Sequence, residues 1–203
     1  MLMYFYEAES AYDAKTARKE AEYNDSRANG ARGEKEVDYA LKWLDKSYVL
    51  IPKLSEDGHG NKCIIISNPE FIDEPQEYDH IVVGRQGLFL IETKNYAGKL
   101  IVDKYGNWIR IKQDGTEEGE RNPIQQVRRH EKMLRSIISE DIEIIDIICM
   151  AHPKMIIEGV ENCTIPLIKS DMLVEYIENY DNGKMISDYE IQRCVECIKE
   201  YMK

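Results

Sequence analysis

The chain has 203 residues, 43% of them hydrophobic, and a formal net charge of −11, which is enough apolar material for one domain with its own core but argues against a second independent one. No apolar run approaches the ~20 residues that a membrane helix needs, and the apolar opening from Met1 to Tyr6 is followed at once by charges, so the expectation is a cytoplasmic protein without a membrane partner. The acidic balance argues against indiscriminate nucleic-acid binding, because phosphate affinity comes largely from lysine and arginine displacing counterions.

Residues 1–29 are polar, with alanines and mixed charges, and predict a helical or partly ordered arm. Asn29-Gly30 and Gly33 predict a break, after which Val37, Leu41 and Leu44 recur at helical spacing, with Glu34 ahead of Val37 on the same stripe. A glutamate in a first helical turn complements the helix dipole, whereas one buried on a core stripe needs a partner. Strands are expected at 48–54 and 63–67, separated by the turn-rich 56–60, and 68–77, with Pro69 and Pro75, predicts a loop. Segments 78–83 and 88–94 are rich in β-branched and aromatic residues and flank Gly84-Arg85-Gln86-Gly87, which predicts an antiparallel hairpin.

A second hairpin is expected at 98–102 and 107–112 about Lys104-Tyr105-Gly106, followed by an acidic, glycine-bearing loop at 114–120. Asn122-Pro123 predicts a helix start, with asparagine as cap and proline at the first helical position, and the helix is expected to run to Ser139. Ile124, Val127, Leu134 and Ile138 supply its apolar stripe, with Gln126 and His130 one turn apart beside it. The bland reading of both is a solvated flank. A buried strand at 143–150, a short strand at 164–168, a helix from Ser170 and a last helix opened by a Ser187/Glu190 capping box complete the chain. The expected class is α/β (α+β), a mixed sheet core flanked by helices over 30–169, with helical extensions at 1–29 and 170–203.

In the first hairpin a symmetric turn makes Val83 face Leu88, Ile81 face Leu90 and Asp79 face Glu92, with Lys94 on the same sheet face. Opposed like charges with Cβ atoms about 5 Å apart are destabilising, and burial adds desolvation, so a cation is expected between them. A divalent ion such as Mg²⁺ suits hard carboxylate oxygens. The alternative is an exposed strand end where water screens both acids and Lys94 is a surface partner.

Further strings accompany these three residues: Gly30-Ala31-Arg32-Gly33-Glu34, Tyr78-Asp79-His80, Ile91-Glu92-Thr93-Lys94-Asn95-Tyr96 with Gly98, and Asn122-Pro123-Ile124-Gln125-Gln126. In order and spacing they resemble the nuclease-related domain (NERD), a branch of the PD-(D/E)XK nuclease superfamily, across roughly residues 30–150. The resemblance implies a restriction-endonuclease-like fold in which Asp79, Glu92 and the Thr93 carbonyl bind Mg²⁺ (or Mn²⁺) and Lys94 orients or activates the attacking water. It also implies that Glu34 and Gln126 complete the site. Tyr78 stands where the superfamily motif has proline, a departure common in this branch.

The activity so implied is metal-dependent hydrolysis of phosphodiester bonds, in DNA before RNA. Residues 94–135 carry ten basic and six acidic side chains, and Lys99, Arg128, Arg129 and Lys132 are the candidate nucleic-acid contacts, against the ordinary reading of a wet helix face. The rival is a catalytically silent module of the same fold that binds nucleic acid or a protein partner as a scaffold, which the acidic composition favours. A homodimer would let two sites address two strands. Cys63, Cys149, Cys163, Cys194 and Cys197 form no disulfide-like framework, and Cys194 and Cys197 lie in a helical pattern, so helix packing is expected rather than zinc.

Overall fold

The computed structural model describes residues 24–57 and 60–203. Residues 24–41 are one helix, α1, so the break expected at Gly30 and Gly33 is absent, and residues 24–29 of the expected arm belong to this helix. The rest of that arm lies outside the described residues. Gly33 serves packing: a Cβ there would lie 2.6 Å from the Asn95 Cβ and 3.3 Å from the Ala151 Cβ, so the helix approaches these chain segments as only glycine permits.

Five strands form the main sheet: β1 (Val49–Leu50), β5 (His80–Gly84), β6 (Gly87–Lys94), β10 (Ile144–Met150) and β12 (Leu167–Lys169), in the order β1-β5-β6-β10-β12. β1, β5 and β6 are antiparallel neighbours, while β6, β10 and β12 run parallel. The hairpin register is the expected one, from Gly84↔Gly87 through Val83↔Leu88 and Ile81↔Leu90 to His80↔Ile91. β1 is much shorter than the predicted 48–54 strand.

The central strands are apolar almost throughout because both faces are covered. Ile81, Val83, Leu88 and Leu90 pack in one cluster with Val127, Met133 and Leu134 of α2 (Ile124–Arg135) and Ile191, Val195 and Ile198 of α4 (Asp188–Glu200). Val82, Phe89 and Ile91 pack in another with Val37 and Leu41 of α1 and Leu173 and Ile177 of α3 (Leu173–Glu178). Alternation along each strand thus divides the core in two.

Two smaller sheets flank the main one. β7 (Lys99–Val102), β8 (Trp108–Ile111), β9 (Glu117–Glu120) and β11 (Ile156–Glu158) form the order β11-β7-β8-β9. β9 corrects the expected acidic loop: Lys112 holds Glu118 at 2.7 Å and Arg110 holds Glu120 at 3.3 Å, so two of its three acids are paired across the ladder. β2 (Ser55–Glu56), β3 (Lys62–Ile66) and β4 (Gln76–Tyr78) form the third sheet, and β4 takes the end of the expected 68–77 loop.

The Asn122 side chain accepts from the Ile124 amide at 3.0 Å, but Pro123 rather than Asn122 is the cap residue of α2, and the helix closes at Arg135, short of Ser139. Ser187 and Glu190 form the expected capping box of α4, and Cys194 is buried on that helix.

Candidate active site

Asp79 occupies the joint between β4 and β5, where the chain leaves one sheet for another. The β5–β6 ladder stops at His80↔Ile91, and the Thr93 amide donates instead to Asp79 Oδ2 at 2.7 Å. Asp79 therefore does not lie in a ladder pair with Glu92, although the two remain electrostatic neighbours. Burial, then Glu92, then Glu34 push the Asp79 carboxyl up to about 7.

Glu92 is 2% exposed, with Lys94 Nζ 2.5 Å from its Oε1 and His130 Nδ1 3.7 Å from its Oε2. Burial raises its pKa, and the charge and hydrogen bond of Lys94 only partly offset this. For Lys94, burial works against the ammonium, but Glu92 and Asp79 more than compensate and hold its pKa above the ordinary value. Lys94 is accordingly a fixed cation at neutral pH.

On the α1 side a polar chain links Glu34 to Thr93 through Lys53, Asp38 and His80, three residues to which sequence reasoning assigns no role. Lys53 Nζ lies 3.0 Å from Glu34 Oε2 and 3.5 Å from Asp38, Asp38 Oδ1 is 2.9 Å from His80 Nε2, and His80 Nδ1 is 3.3 Å from the Thr93 hydroxyl. Burial alone would raise the Asp38 pKa, yet His80 and Lys53 reverse this and hold it below the ordinary value. Glu34 lies well inside α1 rather than in a first turn, so Lys53, not the helix dipole, balances its charge. A signal for Asp38 exists in the sequence as an i, i+4 partner of Glu34 on one helix face, and His80 adjoins Asp79 in the Tyr78-Asp79-His80 string. Lys53 carries no local signal.

From the α2 side comes a correction to the solvated-flank reading of His130. His130 is 3% exposed and stacks on Tyr78 with ring centroids 4.6 Å apart, while the Tyr78 hydroxyl donates to the His130 carbonyl at 3.2 Å. Burial, Arg129 and Lys94 lower its pKa to about 4, so the imidazole is neutral. Gln126 stands half-buried one turn before it. Arg129 is exposed but its charge reaches Glu92 and His130. Arg128 is held at 2.8 Å by both Asp146 and Glu131, Lys99 is held at 2.7 Å by Glu158, and Lys132 is exposed.

Among the described residues no group of three or more His, Cys, Asp or Glu side chains converges as a complete metal-ligand set. The donor chemistry still fits a hard divalent ion. Asp79 and Glu92 supply oxygen donors whose pKa values burial raises, with Glu92 pushing Asp79 up further and Glu34 acting on both, and Mg²⁺ is commonly held by one or two carboxylates with water completing its shell. Glu34 adds negative charge near both acids, while its own carboxylate is engaged by Lys53.

A family model described as "Nuclease-related domain" matches residues 29–151, which takes in α1 from Asn29 onward, the main-sheet hairpin, α2 and β10. An uncharacterized protein of Bacillus anthracis is 27% identical over 175 residues, covering 83% of this chain and 74% of the relative. No solved structure matches.

Proposed function

The chain belongs to the nuclease-related domain family, and from that premise we propose that it is a metal-dependent nuclease of the PD-(D/E)XK kind, hydrolysing phosphodiester bonds in DNA before RNA. The observation that supports this best is the trio of Asp79, Glu92 and Lys94: two buried carboxylates with raised pKa values, the Asp79 one pushed up in part by Glu92, beside one firmly protonated ammonium. Asp79, Glu92 and the Thr93 carbonyl would hold Mg²⁺ or Mn²⁺. Such an ion polarises a phosphate ester and acidifies water.

The protein's own groups supply the remaining steps. The Thr93 amide fixes the Asp79 carboxylate, and the Lys94 ammonium aims a water and offsets charge developing on the phosphate. The raised pKa of Lys94 suits an electrostatic role better than that of a proton acceptor. His130, neutral and stacked on Tyr78, borders the Glu92 carboxylate on its α2 side. Glu34, anchored by Lys53, and Gln126 complete the surround. Arg129 and Lys132, exposed on α2, take substrate phosphates, while Arg128 and Lys99 would exchange their acidic partners to do so.

The net charge of −11 favours a second reading, a silent scaffold with the same fold. The test is incubation of the purified protein with labelled single-stranded DNA, duplex DNA and RNA, in Mg²⁺, Mn²⁺ or EDTA. Cleavage is expected only with metal and is expected to vanish in Asp79→Ala and Lys94→Ala. Cleavage that survives EDTA or either substitution overturns the proposal, and binding without cleavage in both metals establishes the scaffold.

A further inference from the structure

Two adjoining cavities lie at the carboxyl ends of the parallel strands β6 and β10, just past Lys94, where open α/β sheets bind ligands. The first, about 460 Å³, has Gly33, Ala97 and Ala151 among its lining, with Arg32, Arg110 and His152 around them. The second, about 350 Å³, is lined by Tyr39 and Trp43 together with Asp171. Glu36 and Pro153 border both.

The first cavity has the chemistry of an anion site. Arg32 is an exposed guanidinium, and Arg110 is oriented by the Ala97 carbonyl at 3.0 Å, by Glu120, and by Tyr96, whose ring lies 5.4 Å below it. His152 Nδ1 accepts from the Lys154 amide at 3.3 Å, which leaves Nε2 as the N–H donor even in the neutral ring. Among the described residues, Glu36 is the one acid in this lining.

The second cavity suits a flat, uncharged group. Trp43 is 70% exposed and Tyr39 58%, and the two rings meet edge to face at 6.4 Å, which presents aromatic surface to solvent that the core does not use. Glu36 and Asp171 disfavour a phosphate there but can accept from the amino groups of a base. Tyr39 stands about 10 Å along α1 from Arg32, within the reach between a phosphate and a neighbouring base on an unstacked strand.

We infer that these cavities form a substrate-strand subsite in which Arg32, Arg110 and His152 hold a phosphate and Tyr39 and Trp43 stack a base, so that the strand leaving the site is single-stranded. Only an unpaired strand offers a free base face, since bases in a duplex already stack on their neighbours. The inference rests on the nuclease reading for its place beside Lys94. Its binding test does not depend on catalysis.

The chain has two tryptophans, and Trp108 is 2% exposed, so a solvent-facing fluorescence signal reports Trp43. In EDTA, a mixed-sequence single-stranded DNA of about ten nucleotides is expected to quench that signal. Affinity, followed by anisotropy of the labelled strand, is expected to fall about tenfold in Trp43→Ala. Arg32→Ala is expected to weaken binding and to flatten the dependence of log K on log salt by about 0.7. Both side chains are exposed, and a denaturation curve for each variant confirms the fold.

Equal affinity for the matching duplex, or wild-type binding by both variants, overturns the inference. If both variants bind normally while Asp79→Ala abolishes cleavage, the subsite fails and the nuclease reading stands. If both lose binding in EDTA while no substrate is cut in any metal, the subsite stands and the nuclease reading fails.

Discussion

The Thr93 amide donates to the Asp79 carboxylate at 2.7 Å just beyond the last cross-strand pair of the β5–β6 hairpin, so a side chain continues a ladder that the backbone has left. The bond lowers the Asp79 pKa, but burial, Glu92 and Glu34 outweigh it and bring the group to about 7, above the ordinary 3.8. A raised carboxyl stabilises the fold fully below its unfolded pKa and loses that contribution as pH rises through the folded value. Asp79→Asn keeps an acceptor for the amide and removes the charge. In EDTA it is expected to raise Tm by roughly 2–4 °C near pH 8 and to change it little near pH 4, while abolishing Mg²⁺ binding in calorimetry. A lower Tm near pH 8 would show that the charge itself supports the fold.

The hairpin is legible in the sequence because its information is local: glycines at both ends of the turn and alternation on each side set the register that carries Glu92 and Lys94. The features that are not legible depend on distant parts of the chain. Gly33 reads locally as a helix breaker, but its role is set by Asn95 and Ala151. The acidic 117–120 segment has poor strand composition, yet it is an edge strand, where charges are tolerated and here find Arg110 on β8 and Lys112 just after it. Beside an apolar helix stripe His130 reads as wet, whereas in the fold Tyr78, arriving from β4, covers its ring.

Lys53 joins Glu34 and Asp38 on α1 to the segment after β1, and its side chain is 13% exposed. Lys53→Met would leave two partly buried carboxylates near each other without their shared cation, at a cost of about 2 kcal/mol, reduced from a fully buried pair by solvent access to Asp38. Urea unfolding measures this loss, and Lys53→Arg is expected to recover most of it. A neutral result for Lys53→Met would mean that water screens the pair.

Glycine substitutions in α1 are expected to have opposite signs. A Cβ added at Gly30 would meet nothing within 4 Å among the described residues, so Gly30→Ala is expected to stabilise the protein by roughly 0.5–1 kcal/mol through helix propensity. At Gly33 the obstructing atom is the Asn95 Cβ, which cannot swing aside as a side-chain tip can. Gly33→Ala is expected to destabilise by about 1–3 kcal/mol despite the same propensity gain. Paired urea curves check both, and equal effects at the two positions would remove the close-approach account.

Asp146 lies on β10 with its side chain 6% exposed, one oxygen 2.8 Å from Arg128 and the other buried without a hydrogen-bond partner among the described residues. Burial first, and Glu131 second, push its pKa up to about 7 against the pull of Arg128. The folded protein therefore holds this proton more tightly than the unfolded chain, and stability falls as pH rises from about 4 towards 7. Asp146→Asn should flatten that part of the profile and stabilise the protein near pH 8, because Arg128 is half-exposed and retains Glu131 at 2.8 Å. Mg²⁺ separates this effect from that of Asp79: a bound cation would hold Asp79 ionised and cancel its pH slope, while Asp146, paired to Arg128 instead, should keep its own slope. Urea midpoints across pH, with and without Mg²⁺, measure the two contributions. If Asp146→Asn destabilises equally at both ends of the range, the Arg128 ion pair outweighs the buried charge.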